Sequence, residues 1–367
     1  PSLLRQLHQL GCRTTVLCAS KLDAGYASRY PRKKILVSEI RENDAAYRAA
    51  IEKELKEGYD FLFPVLERAT DICTDGRIAA QYPELKILAA LREAFLKAYD
   101  KQQTMDCCMD NQIPCPVTRR EGESLEDYLQ KVSFPLAAKP RRGSGSAGFK
   151  KVRNRQELEK LIKSGEIVLE DYVLQEFIPQ DQYMCNCYIM MSEGRPIYTV
   201  ELKTYRWYPI DGGPGCFART VDQPRVRENA VRLFQALGWD GFGQVSFMMD
   251  TRDGVAKVTE INGRISAGIR IVEYAGCEPV RNLLDRACGL PLIPRREKVR
   301  EGLGLRYFHT DLLWFLKSPK RFSAKPSWFD FRKNKDYLFS WGDPLPFFAY
   351  ALGHMKSYKK DMAKRKH

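Results

Sequence analysis

The sequence predicts an α/β protein of more than one domain. Three observations carry that prediction. Strand-like and helix-like runs alternate through residues 1–100, a glycine-rich loop at 143–148 has strands on both sides, and residues 241–262 form a strand pair ending in polar side chains. A chain of 367 residues is long enough for two to three domains and an ample core.

The first hundred residues follow a parallel-sheet pattern. "PSLLRQLHQLGCRTTVLC" reads as the second half of a helix running into a strand. The numbered chain is therefore expected to begin inside an element, with a glycine-bearing first strand missing. The same stretch lacks the basic segment, long apolar run and cleavage site of a signal peptide. "TTVLCAS" (14–20), "KILVS" (34–38) and "YDFLFPV" (59–65) read as strands, and "DAAYRAAIEKELKEG" (44–58) as a helix stopped at Gly58. Residues 87–118 read as helix, break, helix, then a turn at Pro114 and Pro116.

Composition excludes several classes. At 44% hydrophobic and 29% charged the chain is ordinary for a globular protein, and no apolar run approaches the roughly 18 residues of a bilayer span. Eleven cysteines without a C-x-x-C pair predict reduced, mostly buried thiols in a cytoplasmic setting. His8, His309, His354 and His367 are scattered, which argues against a zinc site and leaves a serine or cysteine hydrolase without its base. Net charge is +14, yet residues 291–367 alone hold 18 Lys/Arg against 7 Asp/Glu, a surplus of 11, and 15 of the 41 aromatic residues. Cations interleaved with aromatics suit an anionic membrane surface or nucleic acid, or else a packing arm with a solvated end. Packing is the expectation for 300–350. The near-neutral remainder speaks against nucleic acid.

The glycine loop narrows the function. "AAKPRRGSGSAGFKKV" (137–152) contains Gly143, Gly145 and Gly148 in G-x-G-x-x-G spacing. A dinucleotide-binding turn must lead from strand to helix, whereas "FPLAAKP" (134–140) and "GFKKV" (148–152) make this a strand–loop–strand unit, with the helix only at 154–165 behind an Asn154 cap. A Walker A loop needs Lys-Ser/Thr after its last glycine, and Phe149 stands there. A protein kinase needs H-R-D and D-F-G, and neither occurs. The surviving reading has Lys139 aimed at a phosphate under the loop. Backbone N–H groups of the glycines approach the phosphate, and Ser144 and Ser146 add donors.

Two later segments extend it. "YVLQEFIPQDQY" (172–183) reads as a strand ending in Glu176, whose carboxylate and following backbone could meet an adenine edge. "GFGQVSFMMDTRDGVAKVTEINGRISAG" (241–268) reads as an antiparallel pair. Glu260, Asn262 and Arg264 fall on alternate positions of one face, a set suited to a hard cation and a phosphate clamp. The glycines of "GRISAG" suit close approach by a ligand.

Lys101 in "AYDKQQT", Lys139 with its glycine loop, "QEFIP" and "EINGR", in that order, resemble the motifs of the ATP-grasp superfamily over about residues 15–290. That superfamily includes biotin carboxylase, carbamoyl phosphate synthase, D-alanine–D-alanine ligase and many carboxylate–amine ligases. The resemblance implies an ATP-grasp fold with four parts: an N-terminal Rossmann-like domain (1–100), an α+β lid (101–175), a large half carrying the metal site (176–292) and a basic C-terminal extension (293–367). It implies ATP with Mg²⁺ or Mn²⁺ as cofactors. Lys101 would contact the α-phosphate, and Lys139 would bridge the α- and β-phosphates. Gly143, Ser144, Gly145, Ser146 and Gly148 would close over the β- and γ-phosphates. Glu176, Phe177 and Ile178 would flank adenine, and Gln182 stands where a ribose-binding glutamate is common. Glu260 and Asn262 would hold the metal, and Arg264 would stabilise the transferred phosphoryl. Ser246 occupies the position of a second metal carboxylate, and Asp250 is the proposed substitute. Lys203, Arg206 and Arg219 in "ELKTYRWYPIDGGPGCFARTV" (201–221) are candidates for an anionic substrate. The implied activity is an ADP-forming ligation of a carboxylate to an amine. The alternative, suggested by Ser246 and Gln182, is nucleotide binding without turnover. "WGDPLPF" resembles the extension of ATP-grasp proteins of cell-surface polysaccharide synthesis. This implies a cytoplasmic protein at the inner membrane face through residues 350–367, with a homodimer also expected.

Overall fold

The computed structural model describes residues 1–40, 43–143, 148–179, 184–210, 213–294 and 299–353. The N-terminal part alternates as expected: α1 (Ser2–Gln9), β1 (Thr15–Cys18), α2 (Ala24–Ala27), β2 (Lys33–Leu36), α3 (Asp44–Leu55), β3 (Phe61–Leu62), α4 (Glu67–Thr74), α5 (Arg77–Gln81) and β4 (Lys86–Ile87). The pairs β1–β2 and β3–β4 are both parallel. Ile51 and Leu55 on one face of α3 pack with Cys73, Ile78 and Leu85, so the helix period is spent on a small local core. The strand β4 was not expected, because a two-residue strand carries no periodicity.

Helices α6 (Arg92–Tyr99) and α7 (Lys101–Asp110) meet at the anticipated break. Asp100 causes it: its buried carboxylate accepts from the N–H groups of Gln102 and Gln103 and caps α7. Met105, Cys108 and Ile113 join the core beneath the large sheet. Residues 101–113, expected in the lid, therefore pack with the large half.

The lid is a three-stranded antiparallel sheet in the order β6 (Lys150–Val152), β5 (Leu136–Pro140), β7 (Tyr172–Glu176), covered by α8 (Leu125–Leu129) and α9 (Arg155–Lys163). Tyr128, Leu136, Ala138, Val152, Leu158, Ile167 and Leu174 form its own core. Asn154 caps α9 by accepting from the N–H of Glu157 at 2.9 Å.

The large half is a seven-stranded sheet. Its first five strands in spatial order are β12 (Val255–Asn262), β11 (Gly241–Asp250), β8 (Met184–Ser192), β9 (Arg195–Trp207) and β10 (Gly215–Thr220). Helix α10 (Pro224–Ala236) covers one face through Val226, Ala230, Leu233 and Phe234. Helices α11 (Ile269–Tyr274) and α12 (Pro279–Ala287) pack with α1 against the other. The C-terminal extension completes the sheet. Strand β13 (Gly304–Arg306) pairs with β10, and β14 (Asn334–Asp336) pairs with β13, with α13 (Phe308–Lys317) between them.

Candidate active site

The lid strand β5 carries Lys139 and leads into Gly143, whose φ is +124°. Gly148, at φ +75°, closes the described part of the loop, and a Cβ there would stand 2.7 Å from Pro140 Cγ. Ser144, Gly145 and Ser146 lie outside the described residues, as does Gln182. Across the cleft, Glu260 and Asn262 alternate on β12 and so share one face.

These side chains converge electrostatically. Lys139 opens on the cleft but is otherwise enclosed, and desolvation lowers its pKa to about 8. Glu260 opposes that shift, while Lys101 adds to it. Lys101 is likewise pushed down by burial, against the field of Glu260, Glu67 and Asp100, and its Nζ donates to Gly143 O at 2.8 Å. Among the described residues, Lys139, Glu260 and Asn262 make no side-chain hydrogen bond. Two ammonium groups therefore lie in the field of one carboxylate, and the donors of Lys139 and the acceptors of Glu260 and Asn262 are unspent among the described residues.

Glu176 is the last residue of the lid strand β7, and its carboxylate is engaged. Lys257 Nζ donates to it at 2.9 Å, Arg252 at 3.0 Å and the Val117 N–H at 3.1 Å. The Phe177 N–H donates to Pro135 O at 3.3 Å, its ring lies 4.2 Å from Lys151 Nζ, and Ile178 is buried.

Four expectations need correction. Asp250 does not stand with Glu260. The β11–β12 register sets Ser246 opposite Glu260 and Asp250 opposite Val255 at the hairpin end, where Arg252 and Lys257 bind its carboxylate and hold its pKa far down. Arg206 is not a surface cation: fully buried, it pairs with Asp311 of α13 at 2.6 and 3.0 Å. Lys203 and Arg219 are register partners on the face opposite the Glu260–Ser246–Asn186–Leu202–Thr220 row, and Arg219 is bound to Asp330 at 2.6 Å. The glycines of "GRISAG" serve packing rather than a ligand, since a Cβ on Gly268 would meet Tyr188 Oη at 1.9 Å.

Arg264 reaches the N-terminal part. Its Nε lies 2.7 Å from Oε1 of Glu67, the first residue of α4. Glu67 was missed from sequence, although it follows the carboxyl end of a parallel strand, where α/β proteins gather ligand groups. Asn186 and Gln244 were also missed. Gln244 Nε2 donates to Asn186 Oδ1 at 3.0 Å and lies 3.3 Å from Ser246 Oγ, so neutral groups line the cleft floor beside Glu260. Arg141 joins the lid to Asp100 at 3.0 Å and ties the glycine loop to the start of α7.

The donor set fits ATP with Mg²⁺. Such a cation takes one or two carboxylates plus phosphate oxygens, and Glu260 and Asn262 offer one carboxylate and one amide oxygen on one face of β12.

Comparison with known proteins agrees. The ATP-grasp domain model matches residues 98–268. The chain is 26% identical over 248 residues to D-alanine–D-alanine ligase of Francisella tularensis subsp. novicida, covering 59% of this chain and 80% of that one. It is 25% identical over 294 residues to the carbamoyl phosphate synthase large chain of Xylella fastidiosa, covering 73% of this chain and 26% of the relative. It thus spans about a quarter of the length of that synthase. Solved structures with the same fold include the Campylobacter jejuni biotin carboxylase–β-γ-ATP complex (TM-score 0.65, 18% identity, 82% of this chain and 71% of that one). Another is the Bacillus licheniformis L-amino acid ligase (TM-score 0.61, 18% identity, 83% and 75%). Residues 98–268 are an ATP-grasp domain. The fold around them, over more than four-fifths of the chain, is the α/β ATP-grasp fold.

Proposed function

We propose that the chain is an ATP- and Mg²⁺-dependent ligase that joins a carboxylate to an amine. The observation that carries this is the convergence of Lys101 and Lys139 on Glu260, with Asn262 beside it and the ammonium of Lys139 unspent. Lys139 and Lys101 bind and orient the triphosphate, and the loop from Gly143 to Gly148 covers it and excludes water. Glu260 and Asn262 would hold the divalent ion, which when bound offsets charge on the phosphate oxygens. A substrate carboxylate oxygen attacks the γ-phosphorus and ADP leaves. The amine then attacks the acyl carbon of the mixed anhydride, the C–O bond to phosphate breaks, the nitrogen loses a proton, and amide and phosphate depart. Arg264, held by Glu67, is positioned for the charge on the transferred group.

The test is ADP release over paired carboxylates and amines, including amino acids, sugar acids and nucleotide sugars. Glu260→Gln is expected to keep nucleotide binding within a few-fold and to lose turnover; full turnover in that variant refutes the metal role. A second reading, nucleotide binding without turnover, is favoured by the uncharged Ser246 opposite Glu260. It predicts tight ATP binding with no ADP from any pair. The relatives named D-alanine–D-alanine ligase and L-amino acid ligase support an amino acid as one substrate. We place the activity in cell-surface polysaccharide or peptide modification, in a cytoplasmic protein held peripherally at an anionic membrane by residues 350–367. Of those, 354–367 lie outside the described residues. Among the described residues no helix is long and apolar enough to cross a membrane. A homodimer is part of the same proposal.

A further inference from the structure

The C-terminal extension spends most of its aromatics on a ring-contact network that turns outward in two places, at Trp341 and Phe348 and, with more rings, between Leu316 and Phe331. Phe322 is 74% exposed, Leu316 58%, Phe329 55% and Phe331 53%. Phe322 and Phe329 are stacked with centroids 6.5 Å apart and near-parallel planes at 13°. Both rest edge-on against Phe315, and Phe329 and Phe331 both abut Trp328. Trp328 is buried, so the ridge stands on a fixed base. Three phenyl rings and a leucine held at these exposures present roughly 300 Å² or more of contiguous apolar surface, within the range that marks an interaction site.

The charge around the ridge has one sign. Between residues 316 and 333 the chain carries Lys317, Lys320, Arg321, Lys325, Arg332 and Lys333 against a single acid, Asp330. Arg219 already binds that acid at 2.6 Å. None of the six cations lies within ion-pair distance of a described carboxylate, and five of them are exposed. The sixth, Arg321, holds its guanidinium over the Phe322 ring at 5.6 Å and donates from Nη1 to Leu316 O at 3.3 Å, so its charge sits on the ridge itself.

We propose that this ridge is a membrane-docking surface. Phe322, Phe329, Phe331 and Leu316 enter the interfacial zone of a bilayer, and the six flanking cations meet anionic lipid headgroups. Cationic complementarity with no free acid selects an anionic sheet, and rigid apolar rings in the midst of the cations select one with an apolar interior. Nucleic acid would use the cations and could stack bases on the rings, but it would leave Leu316 without a role, and the near-neutral first 290 residues speak against it. The proposal deepens the membrane part of the reading above by placing the contact on a folded element rather than on the basic end. It is independent of the ligase chemistry.

The experiment is flotation of the full-length protein with vesicles of phosphatidylcholine alone and of phosphatidylcholine mixed with phosphatidylglycerol. Two full-length variants accompany it: Phe322→Ser with Phe329→Ser, and a chain whose six Lys/Arg after residue 355 are changed to Gln. The expected result is partition onto the anionic vesicles that falls about tenfold or more in the double-Ser variant at an unchanged melting temperature. The tail variant should keep a partition that still depends on Phe322 and Phe329. The proposal is overturned if the protein does not float or if the double-Ser variant floats as well as the wild type. It is equally overturned if that variant loses only self-association or oligonucleotide binding. Loss of floating in the tail variant alone would return the contact to the basic end and sink the ridge, while ADP release, read separately, would be untouched by either result.

Discussion

At the scale of single residues the account turns on Lys139. Its pKa, lowered to about 8 by desolvation, places a titration within working range. Phosphate stabilises the ammonium, so the nucleotide binds the protonated form better. Below pH 8 that form is already present. As pH rises through about 8, affinity falls, because a proton must be taken up on binding. Calorimetry of ATP binding at pH 8–9 in buffers of different ionisation enthalpy should therefore report proton uptake, and Lys139→Arg should abolish it. Lys139→Ala should weaken binding by about 10- to 100-fold, the worth of a charge-assisted hydrogen bond. The same shift enters stability with the opposite trend. An unfolded lysine near 10.4 holds more protons than the folded one between about pH 8 and 10, so this group adds stability as pH rises through that window. Lys139, Glu260 and Asn262 were legible as candidates from the glycine loop and the strand alternation, and Lys101 from the family resemblance. Glu67 was not, because its role depends on a contact nearly two hundred residues away in sequence.

Register decides what the elements do. The hairpin β11–β12 brings Ser246, rather than Asp250, level with Glu260, since each residue along a strand moves a side chain by about 3.3 Å and reverses its face. With one carboxylate and neutral Asn186, Gln244 and Ser246 around it, the wild type should hold one tight Mn²⁺ in the presence of a non-hydrolysable ATP analogue. Ser246→Asp should add a second, measured by electron paramagnetic resonance. Two tight ions in the wild type would contradict this. The hairpin itself was legible from its alternation and its turn at Arg252–Gly254. Its consequence for Asp250 was not, because the bulge between Ser246 and Phe247 and the pull of Lys257 and Arg252 lie beyond a one-dimensional pattern. The same limit misled the reading of 201–221. Basic residues near a glycine pair suggest a surface, yet Arg206 is buried because α13 delivers Asp311 to it, with the guanidinium stacked 4.1 Å from the Phe217 ring. Asp311 also serves Arg306 at 3.1 Å. Asp311→Ala, leaving two guanidinium groups buried without their anion, should cost about 3–5 kcal/mol in denaturant unfolding.

On the scale of the whole molecule the extension is part of the fold. Strands β13 and β14 add an edge to the central sheet, and Asp311 locks Arg206 of β9. A chain ending before residue 304 should therefore expose β10, lose cooperative unfolding and aggregate, whereas loss of a mere appendage would leave the melting transition intact. The sequence pattern foretold packing for 300–350 from its aromatics, but strand pairing by three-residue segments such as Gly304–Arg306 is too short to leave a period. The division into lid and two halves was visible only as what the motif resemblance implies, and it placed in the lid residues 101–113, which pack with the large half. The way they meet was not, since it rests on contacts remote in sequence, such as Arg141 with Asp100, Arg264 with Glu67 and Lys257 with Glu176. The central claim is that lid and large half close on one triphosphate and its metal. Its most direct test is an anomalous-scattering map from crystals grown with Mn²⁺ and a non-hydrolysable ATP analogue. The account predicts a manganese peak on Glu260 and Asn262 with phosphate oxygens against Lys139. Manganese elsewhere, or nucleotide bound away from Lys139, would contradict it.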